Sequence, residues 1–356
     1  MIERFTYNGL PARVVFGSGT LAELPAEVDR LGARRALILT TPTRTRWGDE
    51  LTALLGARAA GVFSGAVMHT PVDVTEQAMK VVRELGADCT VAMGGGSTVG
   101  LGKAIALRTG LPQIVVPTTY AGSEMTPIIG ETRDGVKATQ KSMAVLPETV
   151  IYDVDLTLSM PPLLSGISGI NAIAHSVEAL YAQDRNPIVS IMAEQSIAAL
   201  GRALPAICLD PKNTDARTDA LYGTWLAGTC LGLVGMALHH KLCHTLGGTF
   251  ELPHAETHTI VLPHATAYTA PAAPEAMAAI ERALGVKTAA DGLYALAKSV
   301  GAKLALRDLG MPESGIDKAA DLAVKSPYWN PRPFERDAIR ALIARAWAGE
   351  PPRAGA

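Results

Sequence analysis

Six of the chain's eight histidines, His239, His240, His244, His254, His258 and His264, fall within 26 residues, where uniform scattering over 356 positions would place fewer than one. Clustering of that density points to a site. His240 and His244 are four residues apart, as are His254 and His258, so each pair shares a face if its segment is helical. Upstream, Asn171 and His175 in GINAIAHSVEAL repeat the spacing. Imidazoles gathered from separate helices support two chemistries. Three of them can hold a metal with an open fourth position; without a metal they are neutral donors and proton carriers. The pattern leaves both open.

A second group lies in CTVAMGGGSTVGLGKAIAL, where Gly94, Gly95, Gly96 and Ser97 stand between a strand-like and a helix-like run. Free backbone N–H groups at a helix start hold a phosphate, and missing Cβ atoms let it approach, so the segment reads as a nucleotide loop, though not as GxGxxG. Pro117-Thr118-Thr119-Tyr120-Ala121-Gly122-Ser123 follows the next strand-like run, at the edge where open α/β sheets bind ligands.

These groups work only if the elements around them hold them. Up to about residue 155, Ala12–Phe16, Arg35–Thr40, Cys89–Met93, Gln113–Pro117 and Thr149–Asp153 read as strands. Ala22–Leu31, Val74–Leu85 and Thr98–Leu107 read as helices between them. Continuous apolar runs such as RALILT and CTVAM suit buried parallel strands, which predicts a doubly wound α/β domain over residues 1–157. After Met160-Pro161-Pro162, long Ala/Leu-rich stretches (Ile188–Leu204, Asp215–Leu238, Thr288–Leu306, Glu335–Ala348) predict an all-helical domain over residues 158–356, with a loose tail from Gly349.

Composition removes several function classes. With 48% hydrophobic and 19% charged residues, the chain is globular rather than disordered or fibrous. Lys and Arg number 32 against 34 Asp and Glu, a formal charge of -2, so no broad basic surface exists for nucleic acid. Cys89, Cys208, Cys230 and Cys243 form no CxxC pair, which suits a reducing cytoplasm. MIERFTYNGLPARVVF lacks the apolar core of an export signal. Leu221–Leu238 runs 18 residues without a charge, and its Gly228-xxx-Gly232 pair could serve a membrane helix dimer, but its isolation and its run into the histidine cluster favour a buried helix over a membrane span.

Taken together, FGSGT, GGGSTVGLGK, the PTT loop, LPP, GINAIAH, HHKLCHTLGGTFELPHAETHTIVLPH and NPRP resemble the group III, iron-containing alcohol dehydrogenase superfamily over essentially the whole chain. The resemblance implies a dehydroquinate synthase-like, iron-alcohol-dehydrogenase-like fold, with an N-terminal NAD(P)-binding α/β domain and a helical domain. The superfamily's metal ligands, an Asp and three histidines, map to Asn171, His175, His240 and His254. A further histidine near the nicotinamide maps to His244, and a lysine near the ribose and phosphates maps to Lys141.

Two departures carry weight. Asn171 replaces the only anionic ligand, and a neutral amide oxygen is a poorer partner for iron, so metal binding is expected to weaken. Gly100 stands where an Asp is usual in GGGSxxDxxK, while Lys103 remains. Both changes make the site more hospitable to an anion. With FTYNGLPARVVFGSGT, PTTYAGSEMTP and NPRPFERDAIRALIARAW, they resemble the maleylacetate reductase branch. That resemblance implies NADH- or NADPH-dependent reduction of 2-maleylacetate to 3-oxoadipate in bacterial aromatic catabolism, without a metal, by a cytoplasmic homodimer. Under it His244 and His254 are expected to stabilise an enolate and deliver a proton, supported by His175 and His240. Asn171, Lys103, Lys241, Arg332 and Tyr120 are expected around the dicarboxylate, with Trp225 and Trp329 as further lining. Gly94, Gly95, Gly96, Ser97, Thr118, Thr119, Lys141 and Thr41 are expected around the cofactor. Thr40 and Thr41, where a carboxylate would select NAD, leave room for a 2'-phosphate. Two alternatives remain: a metal-dependent alcohol or polyol dehydrogenase of the same superfamily, and a nucleotide-binding sensor without turnover.

Overall fold

The computed structural model describes residues 5–353. Residues 1–4 and 354–356, on which the export and tail expectations partly fall, lie outside them. The chain divides into two compact units, residues 9–160 and residues 161–353, the latter grouped with residues 5–8. The division lies three residues past the expected border. Leu156, in the short helix that follows the last strand, still packs on the sheet core, and Pro162 opens the next helix at its first position, where a missing N–H costs nothing.

In the first unit the strands are β1 (Arg13–Gly17), β2 (Ala36–Leu39), β3 (Ala59–Phe63), β4 (Cys89–Gly94), β5 (Gln113–Pro117), β6 (Ile128–Arg133), β7 (Val136–Lys141) and β8 (Thr149–Asp153). The helices are α1 (Leu24–Arg30), α2 (Thr45–Leu55), α3 (Val72–Leu85), α4 (Gly96–Thr109) and α5 (Val154–Thr157). Six strands form a parallel sheet in the order β1-β8-β5-β4-β2-β3. Alternate side chains serve opposite faces: Ile38, Val91 and Val116 meet Leu24, Val28 and Leu51 of α1 and α2, while Leu37, Leu39 and Val115 meet Ala78, Val82 and Leu101 of α3 and α4. Helices on both faces make the sheet doubly wound, and β4, β5 and β8 are buried along their whole length, as their unbroken apolar runs require.

Strand order decides where a ligand sits. The chain passes from β2 outward to β3, then returns to β4 on the other side of β2, so the carboxyl ends of β2 and β4 flank the topological switch point. Absent from the sequence reading of this unit were β3, α2, the β6–β7 hairpin and the one-turn α5.

The second unit contains α6 (Pro162–Ala179), α7 (Pro187–Leu209), α8 (Thr214–Leu233), α9 (Leu238–Phe250), α10 (His254–Thr269), α11 (Pro274–Leu284), α12 (Ala289–Ser299), α13 (Gly315–Lys325) and α14 (Arg336–Ala348). Helix α6 is its centre, packed against α7, α8 and α10. At Gly169 a Cβ would lie 2.4 Å from a Leu204 methyl, so glycine there lets α7 come close. The apolar stretch at 221–238 is broken: α8 ends at Leu233 and α9 leaves at a 93° bend. Among the described residues no single helix is long and apolar enough to cross a membrane.

Candidate active site

In the helical unit, α6 presents Asn171, His175 and Glu178 at i, i+4 and i+7, one face of a helix, and all three are buried. Helix α9 brings His239, His240 and His244, and α10 brings His254 and His258. The rings gather closely. Centroids lie 5.1 Å apart for His175 and His240, 5.0 Å for His240 and His258, 4.2 Å for His254 and His258 and 6.0 Å for His240 and His244. His239, His240, His175 and His258 are buried, whereas His244 and His254 are exposed.

Burial, reinforced by the neighbouring imidazoles, holds His175, His239 and His258 well below the usual histidine range. Their rings are therefore neutral at physiological pH. Several buried polar atoms have no partner among the described residues: Asn171 Oδ1, His175 Nδ1, His240 Nε2 and His258 Nε2. Orphaned buried atoms of this kind are uncommon in folded proteins and mark a place that something else completes. His239 and His258 are bonded to each other, 3.1 Å between Nε2 and Nδ1. His244 Nδ1 lies 3.1 Å from the Tyr328 hydroxyl, whose ring sits 5.7 Å beneath the Lys241 ammonium.

Sequence reasoning missed Glu178. Its carboxylate is fully buried, with Oε2 2.7 Å from His240 Nδ1. Oε2 also accepts from the Ala237 amide at 2.7 Å, and Oε1 accepts from the His239 amide at 2.6 Å. The available signal was its place three residues after His175 on the same helical face.

In the α/β unit the glycine and threonine cofactor candidates collect at the switch point, whereas Lys141 does not. Gly95 precedes α4, whose first turn contains Gly96 and Ser97. Gly94 has φ 149°, and a Cβ there would meet Thr98 Oγ1 at 2.7 Å. The Thr118 amide donates to Gly94 O at 3.0 Å, and Thr119 lies directly under Gly95. Thr41 follows β2. Glycine backbone, two threonines and a helix start thus share one sheet edge, an arrangement suited to a dinucleotide's phosphates. Lys141 is exposed at the end of β7, paired with Ile128.

Residues 11–154 match the iron-containing alcohol dehydrogenase family, and residues 166–347 match the Fe-containing alcohol dehydrogenase family, C-terminal. The chain belongs to the iron-containing alcohol dehydrogenase family. Within it, the chain is 58% identical to a maleylacetate reductase of Sphingobium indicum, over 98% of this chain and 99% of that one. It is 54% identical to a maleylacetate reductase of Burkholderia cepacia, over 98% and 99%. The crystal structure of maleylacetate reductase from Rhizobium sp. strain MTP-10005 superposes with a TM-score of 0.96 at 54% identity, covering 99% of this chain and 100% of that one.

For a member of the iron-containing alcohol dehydrogenase family, the donor set asks whether a metal fits. Asn171 Oδ1, His175 Nδ1 and His240 Nε2 are buried and unpartnered, and Glu178 on His240 Nδ1 is the outer carboxylate that commonly orients a ligating imidazole. By atom type and placement the residues fit a divalent cation. By charge they fit one weakly, because an amide oxygen stands at 171 and the Glu178 carboxylate lies one shell out, on His240. A buried trio, His239, Cys243 and His258, is a different matter. Cys243 Sγ lies 4.0 Å and 3.7 Å from the two nitrogens of His239, nearly equidistant and so flanking the ring, off the line of either lone pair. Burial also pushes its thiol well above the usual range. This is packing rather than a ligand set.

Two substrate assignments need correction, those of Lys103 and Tyr120. Lys103 is buried in the α/β unit, where Nζ is 2.6 Å from Ser123 O, 2.7 Å from Thr126 O, 2.9 Å from Thr126 Oγ1 and 2.9 Å from Ile128 O. Burial pushes its pKa down to about 7, with Glu124 opposing; four oxygens around a group with three N–H donors favour the ammonium. It ties a loop together and has no donor left for a substrate carboxylate. Arg332, part-buried in the 328–335 loop, stacks 4.0 Å over the Tyr268 ring, donates to Tyr268 O at 3.3 Å and lies 3.7 Å from Glu335, contacts that leave its substrate assignment as it stood. Tyr120 is wholly enclosed and offers no face to a ligand. Lys241, beside Tyr328 and His244, stands close to the histidine group. Trp225 packs edge-on with Tyr222, and Trp329 is exposed in the 328–335 loop. Gly100 carries a steric reason for its identity: a Cβ there would lie 2.2 Å from Thr70 Oγ1.

Proposed function

We propose that the chain reduces the C=C bond of 2-maleylacetate to give 3-oxoadipate, using NADH or NADPH and no metal, in bacterial breakdown of aromatic compounds. The observation that carries this is the donor set of the inner site: a buried amide at 171, where a carboxylate ligand would stand, among buried imidazoles, with Glu178 engaged by His240 and the start of α9. A dicarboxylate meets no like charge at position 171. Names borne by the relatives point the same way.

A nicotinamide bound over the glycine loop would supply the hydride. Addition at the alkene carbon β to the ketone leaves an enolate, and a proton at the α carbon completes the product. The chain's residues bind the anion and manage its charge. With the Tyr328 hydroxyl donating to His244 Nδ1, the proton of that ring resides on Nε2, which donates to the enolate oxygen. His254, exposed like His244, is the second donor and the route for the proton. Lys241 supplies the positive charge for a substrate carboxylate. Thr40 and Thr41 at the end of β2 place no negative charge against a 2'-phosphate, so both cofactors serve. The protein acts as a cytoplasmic homodimer, a state that light scattering of the purified protein checks.

The test is oxidation of NADH on adding enzymatically generated maleylacetate, with turnover undiminished by EDTA. Loss of turnover on chelation, restored by iron or zinc, overturns the metal-free reading. The orphaned Asn171 Oδ1, His175 Nδ1 and His240 Nε2 favour one second reading, a metal-dependent alcohol or polyol dehydrogenase. There His175, His240 and His254 would hold a cation whose chemistry is polarisation of a carbonyl oxygen. One equivalent of metal per chain in protein purified without added metal would support it.

A further inference from the structure

We propose that Glu178 is a positioning residue that fixes the tautomer of His240 and the placement of α9 in a single buried contact; its kinetic consequence rests on the reductase reading above. Both Glu178 oxygens accept from backbone amides, Oε1 from His239 at 2.6 Å and Oε2 from Ala237 at 2.7 Å. As a carboxylate the group acts only as an acceptor. The His240 nitrogen 2.7 Å from Oε2 must then donate. In the neutral ring this leaves Nε2 with the lone pair, and Nε2 is the buried atom without a partner.

His240 therefore presents an acceptor to the interior of the site. That separates its role from the donors: it orders a donor on a neighbour or the substrate and does not itself stabilise an enolate oxygen. The same carboxylate satisfies two of the amide groups that every helix start leaves unpaired, with a charge of favourable sign at the positive end of α9. Since α9 also carries His239 and His244, the orientation of α9 and the tautomer of His240 are set together.

Nitrogen-15 NMR of histidine-labelled protein reads the tautomer without any substrate. The wild type should show His240, assigned by its absence from His240→Ala, with the proton on Nδ1; a proton on Nε2 overturns the proposal. A kinetic cycle separates positioning from structure. Glu178→Gln in the wild-type background is expected to lower kcat by about 10–100-fold, the usual range for an outer carboxylate on a functional imidazole, with KM for NADH unchanged. In a His240→Ala background the same substitution should cost kcat clearly less than in the wild type, the remainder being its effect through α9, while still lowering Tm. Equal kcat losses in both backgrounds would mean that Glu178 acts through α9 alone. Glu178→Asp, which keeps an acceptor, should recover the NMR signature at least in part. If wild type shows the expected tautomer but does not oxidise NADH with maleylacetate, the reductase reading fails and the assignment of the contact stands.

Discussion

His264 offers a test of how the buried histidines shape stability. It lies inside the helical unit at 3% exposure, and its Nε2 has no partner among the described residues. It lines a small cavity with Tyr268, Leu342, Arg345 and Arg353. Burial, and then the positive charge of Arg345, pushes its pKa from 6.5 to about 4. The folded ring refuses a proton that the unfolded chain accepts, so its stabilisation is complete above about pH 6.5 and is lost as pH falls toward 4. Integrated from neutral pH to pH 5, the linkage costs about 2 kcal/mol. Urea unfolding of wild type and His264→Leu at pH 7 and pH 5, followed by tryptophan fluorescence, measures it. The pH-dependent loss in wild type should exceed that in the variant by about 2 kcal/mol, whatever the substitution costs at pH 7. Identical losses would show that the ring is protonated in the folded protein or does not titrate, and the reasoning from burial would fail. His175, His239 and His258 are pushed the same way by burial, so the wild type as a whole should weaken steeply below pH 6.5.

Asn171→Asp should give the inner site an ionised ligand at 171, raising iron or zinc content by elemental analysis and lowering maleylacetate turnover; no change in either refutes the role given to the amide. Lys103→Met should cost roughly 3–5 kcal/mol, because Ser123 O, Thr126 O, Thr126 Oγ1 and Ile128 O lose their buried donor, with KM for maleylacetate unchanged in whatever folds. A selective rise in that KM would restore Lys103 as a substrate clamp. Gly100→Asp should destabilise by about 1–3 kcal/mol through overpacking against Thr70. Thermal unfolding should show recovery in the double variant with Thr70→Gly, and failure to recover would place the clash elsewhere.

The sequence made the sheet core and most of the histidine group legible because both are written in local pattern. RALILT and CTVAM can only be buried strands, and the four-residue spacings at 171/175, 240/244 and 254/258 needed only helices to become faces. What escaped was of two kinds. AAGVF, now β3, is too short and too small in its side chains to stand out from a loop. The β6–β7 hairpin did carry a signal that was passed over: Asp134-Gly135, with φ 51° and 76°, is the tight turn that favours Asp-Gly. Lys103 and Glu178 escaped for a different reason, since what each touches depends on segments distant in the chain. A lysine in a nucleotide loop looks like a substrate contact until four backbone and hydroxyl oxygens surround it. A glutamate in an apolar helix looks like a surface residue until α9 is placed on it.

The contact between Thr70 and Gly100 also couples two positions that lie far apart in the sequence. Thr70 sits at a positive φ of 46°, a position costly for a threonine, and its hydroxyl fills the volume that any side chain at 100 would need. A side chain at 100 therefore needs the Thr70 hydroxyl to move, so what position 100 can hold is decided in part at position 70.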